Sequence, residues 1–243
     1  MPKDFKGRTA KTLYAYYVKN RDLKKFIQVS RLLLSEKGTN PLIRGEVCEV
    51  VLEVILSEFI SRNNLRSQGW FLIRGLILGD AVNKTSDYLT ELDLTLFTPR
   101  MIYVFECKSY RGEKILKDKG SLYVKEKNKE VFKLDVFDQN KKHSMALLKH
   151  VIPHLLNRGT SNKLIKMVMF DFSVGEYDDQ REPTYKKIFP LMDDKTVLGL
   201  FKTYKSKEDC WDVKGLETLM NSLSENKTEK TKQHLTYVKS IKR

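Results

Sequence analysis

Leu92-Asp93-Leu94-Thr95-Leu96-Phe97-Thr98-Pro99-Arg100-Met101-Ile102-Tyr103-Val104-Phe105-Glu106-Cys107-Lys108 decides the reading of this chain. Two apolar runs flank a Thr-Pro-Arg turn, which predicts a β-hairpin over Leu92–Phe97 and Met101–Lys108. Centring the turn between Pro99 and Arg100 sets Phe97 against Ile102, Thr95 against Val104 and Asp93 against Glu106. Lys108 follows one step along the same face. The opposite face (Leu92, Leu94, Leu96, Tyr103, Phe105, Cys107) is apolar, and a strand pair apolar on both faces is normally central and covered.

Two carboxylates set across a strand pair, with side-chain origins about 5 Å apart, repel one another. Burial makes an unanswered charge costlier. The arrangement makes sense if something positive lies between them. Lys108 serves in the plainer reading, a salt-bridged set near a sheet end. A divalent metal serves better, because Mg²⁺ is held by one or two carboxylates plus water and a phosphate oxygen. Lys108 would then position or deprotonate a water, or stabilise charge building on phosphorus.

Outward from the hairpin, Asn40-Pro41 opens a long helix over residues 42–61, apolar on a wide face through Val47, Val50, Val51, Val54, Ile55 and Phe59. Phe71–Leu78 reads as a strand and Gly79–Tyr88 as a polar loop. Ser121–Val124 and Val131–Leu134 are short strands about a charged turn. Residues 136–156 are helical by period. Lys163–Phe172 and Val197–Tyr204 read as strands, and Gly215–Leu223 as a last helix. The fold class is α/β, with a mixed central sheet flanked by helices and an N-terminal helical extension. Three segments are expected: a basic helical extension over residues 1–40, a core over 41–223 and a basic tail over 224–243.

The formal net charge is +14, on 243 residues with a pI near 9.5. Residues 1–44 hold 11 Lys and Arg against 3 Asp and Glu, and residues 225–243 hold 6 against 2, so the body between is nearly neutral. The basic ends would grip a polyanion, although solvated ends read the same way. The N-terminal segment carries Leu13, Tyr14, Tyr17, Phe26, Ile27 and Leu33 at helical spacing, and residues 1–40 could also recruit a protein partner. In the tail, Leu235, Tyr237, Val238 and Ile241 could dock as one helix. No apolar run reaches the roughly 18 to 20 residues of a membrane span, and Met1–Asp4 opens no signal sequence, so a cytoplasmic protein is expected. Cys48, Cys107 and Cys210 form no disulfide or zinc pattern.

Other clusters carry less. His143, His150 and His154 lie roughly on one helix face, but Pro153 interrupts the close pair and no third ligand is placed. Glu176, Asp178, Asp179 and Glu182 read as a solvated loop. Lys141, Lys142 and Lys149 could contact phosphates, though basic helix faces are usually only wet.

Glu91-Leu92-Asp93, Phe105-Glu106-Cys107-Lys108 and Ser109-Tyr110-Arg111-Gly112 resemble the PD-(D/E)xK nuclease superfamily, and more closely its nuclease-related domain, NERD. That domain opens with Gly-Glu at a helix start, here Gly45-Glu46, and later has a helix bearing a Gln, here Gln139. The pieces fall in order over about residues 42–156. The Asn-Pro commonly before that Gln is replaced by Val136-Phe137, and the family's Trp strand is echoed only by Tyr123. The resemblance implies a restriction-endonuclease-like fold and Mg²⁺-dependent hydrolysis of DNA, with Mn²⁺ as a substitute. Asp93 and Glu106 would bind metal, Glu46 would complete the set, Lys108 would assist the attacking water, and Gln139 would orient water or phosphate. Read without it, Glu46 is a helix-dipole residue near a first turn and Gln139 a surface side chain. The alternative function is an inactive nucleic-acid-binding or scaffold protein on the same fold.

Overall fold

The computed structural model describes residues 9–36, 39–79, 90–127, 129–156, 164–173, 176–202 and 209–225. The expected loop over Gly79–Tyr88 and the tail patch Leu235–Ile241 lie wholly or mostly outside these residues. Two mixed sheets with flanking helices carry the fold. The helices are α1 (Ala10–Asn20), α2 (Leu23–Ser35), α3 (Pro41–Arg62), α4 (Val136–Val151), α5 (Pro183–Ile188) and α6 (Val213–Glu225). The strands are β1 (Phe71–Leu78), β2 (Thr90–Phe97), β3 (Ile102–Lys108), β4 (Lys114–Lys117), β5 (Ser121–Glu126), β6 (Lys129–Asp135), β7 (Ile165–Asp171), β8 (Tyr177–Asp179) and β9 (Leu191–Met192). One sheet has the order β1-β2-β3-β7-β9 and the other β6-β5-β4-β8. No described helix is long and apolar enough to cross a membrane.

The chain divides into two compact units. The first, Ile60–Glu106, Asp138–Val168 and Tyr204–Arg243, contains the hairpin. Its turn is closed by Thr98, whose hydroxyl donates to the Met101 carbonyl at 2.7 Å and accepts from the Met101 amide at 2.9 Å. β1 extends the hairpin antiparallel to β2, and the paired Phe71 and Phe97 stack with ring centres 4.5 Å apart. Beneath them Leu76, Leu92, Ile102, Val104, Leu147, Val151, Trp211 and Leu216 form a continuous apolar core.

The second unit, Met1–Phe59, Cys107–Phe137 and Met169–Thr203, holds the N-terminal helices. Thr9 and Thr12 form a capping box at α1, and Arg21 ends that helix in the left-handed region. Asp22 then caps α2 by accepting from the Lys25 amide at 3.0 Å. Asn40 accepts from the Leu42 amide at 2.9 Å, leaving Pro41 in the first turn of α3, where its missing N–H costs nothing.

Beyond the short elements α5, β9 and a 3₁₀ turn over Ile152–His154 that cuts short the expected helix, the structure differs from the sequence expectation in three places. Val197–Phe201 is a 3₁₀ helix, not a strand. Asp193 starts it by accepting from the Lys195 and Thr196 amides, and Val197 and Phe201 are both buried, with Phe201 stacked on Phe59 at 5.4 Å. The four-residue strand β4 has charged ends and too little alternation to stand out, yet it organises the second sheet. Third, the acidic stretch near Asp178 is no solvated loop throughout: β8 pairs parallel with β4, and Asp179 grips buried Arg181 through two contacts of 2.8 Å.

α4 starts against the β4–β5 turn, the Val136 amide donating to the Gly120 carbonyl at 3.0 Å. A Cβ on Gly120 would fall 2.6 Å from Phe137 Cβ and 2.9 Å from the Phe137 nitrogen. Gly120→Ala should therefore lose about 1–3 kcal/mol in urea unfolding. Gly199→Ala, which meets nothing within 4 Å, should stay within about 0.5 kcal/mol of wild type. Burial pushes the Asp179 carboxyl up, but the Arg181 contacts outweigh it and hold the group below its ordinary value. A depressed carboxylate stabilises the fold above its unfolded pKa and loses that effect as pH falls through the folded one. Asp179→Asn should therefore be less stable at neutral pH, with the gap closing below about pH 3.9 in pH-dependent melts.

Candidate active site

The β2–β3 ladder pairs Phe97 with Ile102, Leu96 with Tyr103, Thr95 with Val104 and Leu94 with Phe105. That is the register expected from the sequence. The ladder ends at Leu94 and Phe105; carried one step further, the expected register would set Asp93 opposite Glu106. Glu106 is only 1% exposed, whereas Asp93 is half-buried, so the pair has a dry member and a wetter one. An ionised carboxylate at that depth requires a positive partner.

The described partner comes from α4. His143 Nδ1 lies 3.1 Å from Glu106 Oε2, an ion-pair distance when the imidazole is protonated, without hydrogen-bond alignment. The helix is held in place by Asn140, which is fully buried. Its amide nitrogen reaches the Val104 carbonyl of β3 at 3.2 Å and the Val168 carbonyl of β7 at 3.3 Å. Ser144 Oγ adds a contact of 3.3 Å to Asn140 Oδ1. Gln139, half-buried, precedes His143 by four residues, so the two are neighbours along α4.

The second unit holds Glu46 and Lys108. Glu46 is exposed in the second turn of α3, and Lys108 is half-buried at the end of β3. Two residues after Glu46, the Cys48 thiol donates to the Lys108 carbonyl at 3.3 Å, so this part of α3 packs against the strand end. Burial pushes the Cys48 thiol pKa up, leaving it a weak donor and not a nucleophile. Glu106 and Lys108, two residues apart on β3, share one strand face. Beyond Lys108, Gly112 takes a φ of 88°, a backbone conformation that glycine adopts without strain. Arg111 donates to the Leu34 carbonyl at 3.0 Å and to that of Glu36, tying α2 to the loop after β3.

The histidines do not act together. His150 Nε2 lies 3.1 Å from the Gly79 carbonyl, and His154 Nδ1 lies 3.8 Å from Asp212. Among the described residues no group of three or more His, Cys, Asp or Glu side chains is gathered for a metal ion. A fit to metal thus rests on the opposed pair. Its donors are carboxylate oxygens, the hard donors that Mg²⁺ and Mn²⁺ prefer, and two of them suffice when water and phosphate fill the remaining positions.

A second polar cluster occupies the second unit. Asp171 accepts from the Ser173 amide and the Tyr177 hydroxyl, each at 2.8 Å, while Lys114 reaches the Ser173 hydroxyl and lies 4.8 Å from the Tyr177 ring centre. Burial pushes Asp171 up and Lys114 down. A cavity of about 360 Å³ opens beside Asp171, Ser173 and Tyr177. These groups satisfy one another and serve to join β4, β7 and β8.

Sequence reasoning missed the roles of Asn140 and His143, although both left a signal. Val136, Asn140, His143, Leu147 and Val151 recur at helical spacing, so two polar side chains interrupt a buried stripe.

A family model described as nuclease-related domain matches residues 45–171, from Gly45 to Asp171. No curated protein and no solved structure matches the chain.

The clamp gives a test of its own. Asn140→Ala strands the Val104 and Val168 carbonyls and should cost about 1–3 kcal/mol in urea unfolding; an unchanged midpoint would mean that α4 is held by other contacts.

Proposed function

The chain belongs to the nuclease-related domain family, and from that premise we propose that it is a metal-dependent nuclease hydrolysing phosphodiester bonds of DNA. The observation that carries this reading is the hairpin register, which matches the expectation as far as Leu94 opposite Phe105 and leaves Asp93 and the buried Glu106 as the next residues of the two strands, with Lys108 on the same strand face as Glu106. A hard divalent cation such as Mg²⁺, when bound, supplies charge stabilisation at the phosphate and a more acidic water.

Asp93 and Glu106 would hold that cation, with Glu46 as a further carboxylate from α3. His143 keeps Glu106 from turning away, as an outer partner does for a ligand. The Lys108 ammonium, an obligate donor, would hydrogen-bond the attacking water or a phosphate oxygen and offset the negative charge growing there. Gln139 carries both a donor and an acceptor and would orient water or phosphate from α4.

One observation favours a second reading. His143 already lies at ion-pair distance from Glu106, which suits an inactive nucleic-acid-binding protein whose carboxylate is neutralised from within.

Metal and cleavage separate the two. In the proposed reading, purified protein cuts nucleic acid with Mg²⁺ or Mn²⁺ and not with EDTA. Lys108→Ala should lose about 10²- to 10⁴-fold in rate, and Asp93→Ala should be inactive while still folded. Mg²⁺ should raise the melting temperature of wild type and not of Asp93→Ala, and His143→Ala should weaken metal binding by about 10- to 100-fold. Absence of cleavage on every single- and double-stranded DNA and RNA substrate would leave the second reading standing.

A further inference from the structure

The exposed side of α4 combines three features. From Gln139 to Val151 the helix has no Asp or Glu, and its one carboxylate, Asp138, sits in the first turn. Lys141, Lys142 and Lys149 all face solvent, with Met145 52% exposed among them. Lys141, Met145 and Lys149 are spaced four residues apart, and Lys142 precedes Met145 by three, so the four form one strip.

Some lysines elsewhere on the surface have acidic neighbours: Lys117 with Glu130 at 2.5 Å, Lys125 with Glu113 at 3.1 Å and Lys133 with Glu126 at 2.5 Å. Lys141 and Lys142 have no such ion pair among the described residues. Their backbone is also fixed in place. Asn140, immediately before them, is bonded to β3 and β7, and His143, immediately after, touches Glu106. Two cations are therefore presented on the solvent side of a clamped helix, in the unit that also holds Asp93 and Glu106.

We propose that this face of α4 is the surface that grips the phosphate backbone of the substrate. The proposal takes its substrate class from the nuclease reading and adds where the strand is held. Chemistry favours a polyanion: an acidic peptide would also meet the lysines, but a nucleic acid offers a phosphate at every step along its backbone, so it can meet cations at adjacent positions and two turns further on. Phosphate contacts position a strand without reading its bases, so DNA and RNA duplexes are both held.

The test uses the full chain in EDTA, where no cleavage occurs, and a short fluorescent DNA duplex followed by anisotropy from about 50 to 200 mM salt. Replacing Lys141 and Lys142 together by Gln keeps helix propensity and removes two charges. The slope of log affinity against log salt should become shallower by about 1.8, or about 0.9 per lost phosphate contact, with an equal charge-dependent loss on an RNA duplex. Lys24→Gln/Lys25→Gln on α2 removes the same charge and should leave the slope unchanged. An unchanged slope in the α4 variant, an equal change in both variants, or no wild-type binding to either duplex would overturn the proposal. A shallower slope only in the α4 variant, from a protein that never cleaves, would uphold this surface and sink the nuclease reading instead.

Discussion

Glu106 is a carboxylate at 1% exposure in the middle of an apolar strand, and much of the first unit is arranged around it. Water cannot solvate the charge there, so protein groups must do so, and desolvation at such a site is worth several kcal/mol if nothing compensates. His143 supplies one answer from α4. That contact depends on the helix lying at the right height over the sheet, and the Asn140 bonds to Val104 and Val168 set this height. The start of α4 is fixed in turn by Gly120, which has no room for a side chain against Phe137. A short chain of local constraints thus ends at one carboxylate oxygen.

Asp93, the next residue of β2 beyond the ladder's last pair of Leu94 with Phe105, adds a second carboxylate to the hairpin. Two carboxylates brought close together would repel one another. A fold selected only for stability would do better with apolar side chains at these positions, since buried ion pairs seldom add net stability. The family match over residues 45–171 covers both strands and α4.

The hairpin was legible because its information is local. A turn with Thr98, Pro99 and Arg100 between apolar runs allows one register, and that register holds in the structure. The long α3 and the two N-terminal helices were legible for the same reason, through period and caps. Strand β4 was not, because its four residues gain their place from pairing with β5 and, across a long sequence gap, with β8. Val197–Phe201 was misread because two apolar side chains four residues apart suit either a strand run or a tight helical turn, and the Asp193 bonds decide between them. His143 was visible as a residue but not in its role, since no spacing within α4 reveals that Glu106 faces it.

The starting expectation assigned nucleic-acid grip to the basic ends of the chain. α4 offers a better-defined alternative, a clamped helix with exposed lysines in the unit that holds Asp93 and Glu106. Everything in this account depends on whether those carboxylates hold a cation. The most direct measurement is anomalous diffraction from crystals of the full chain grown with Mn²⁺. A peak bonded to oxygens of both Asp93 and Glu106 at about 2.0–2.2 Å is expected. Mn²⁺ bound only elsewhere, with the Glu106–His143 contact intact and Asp93 turned to solvent, would contradict it.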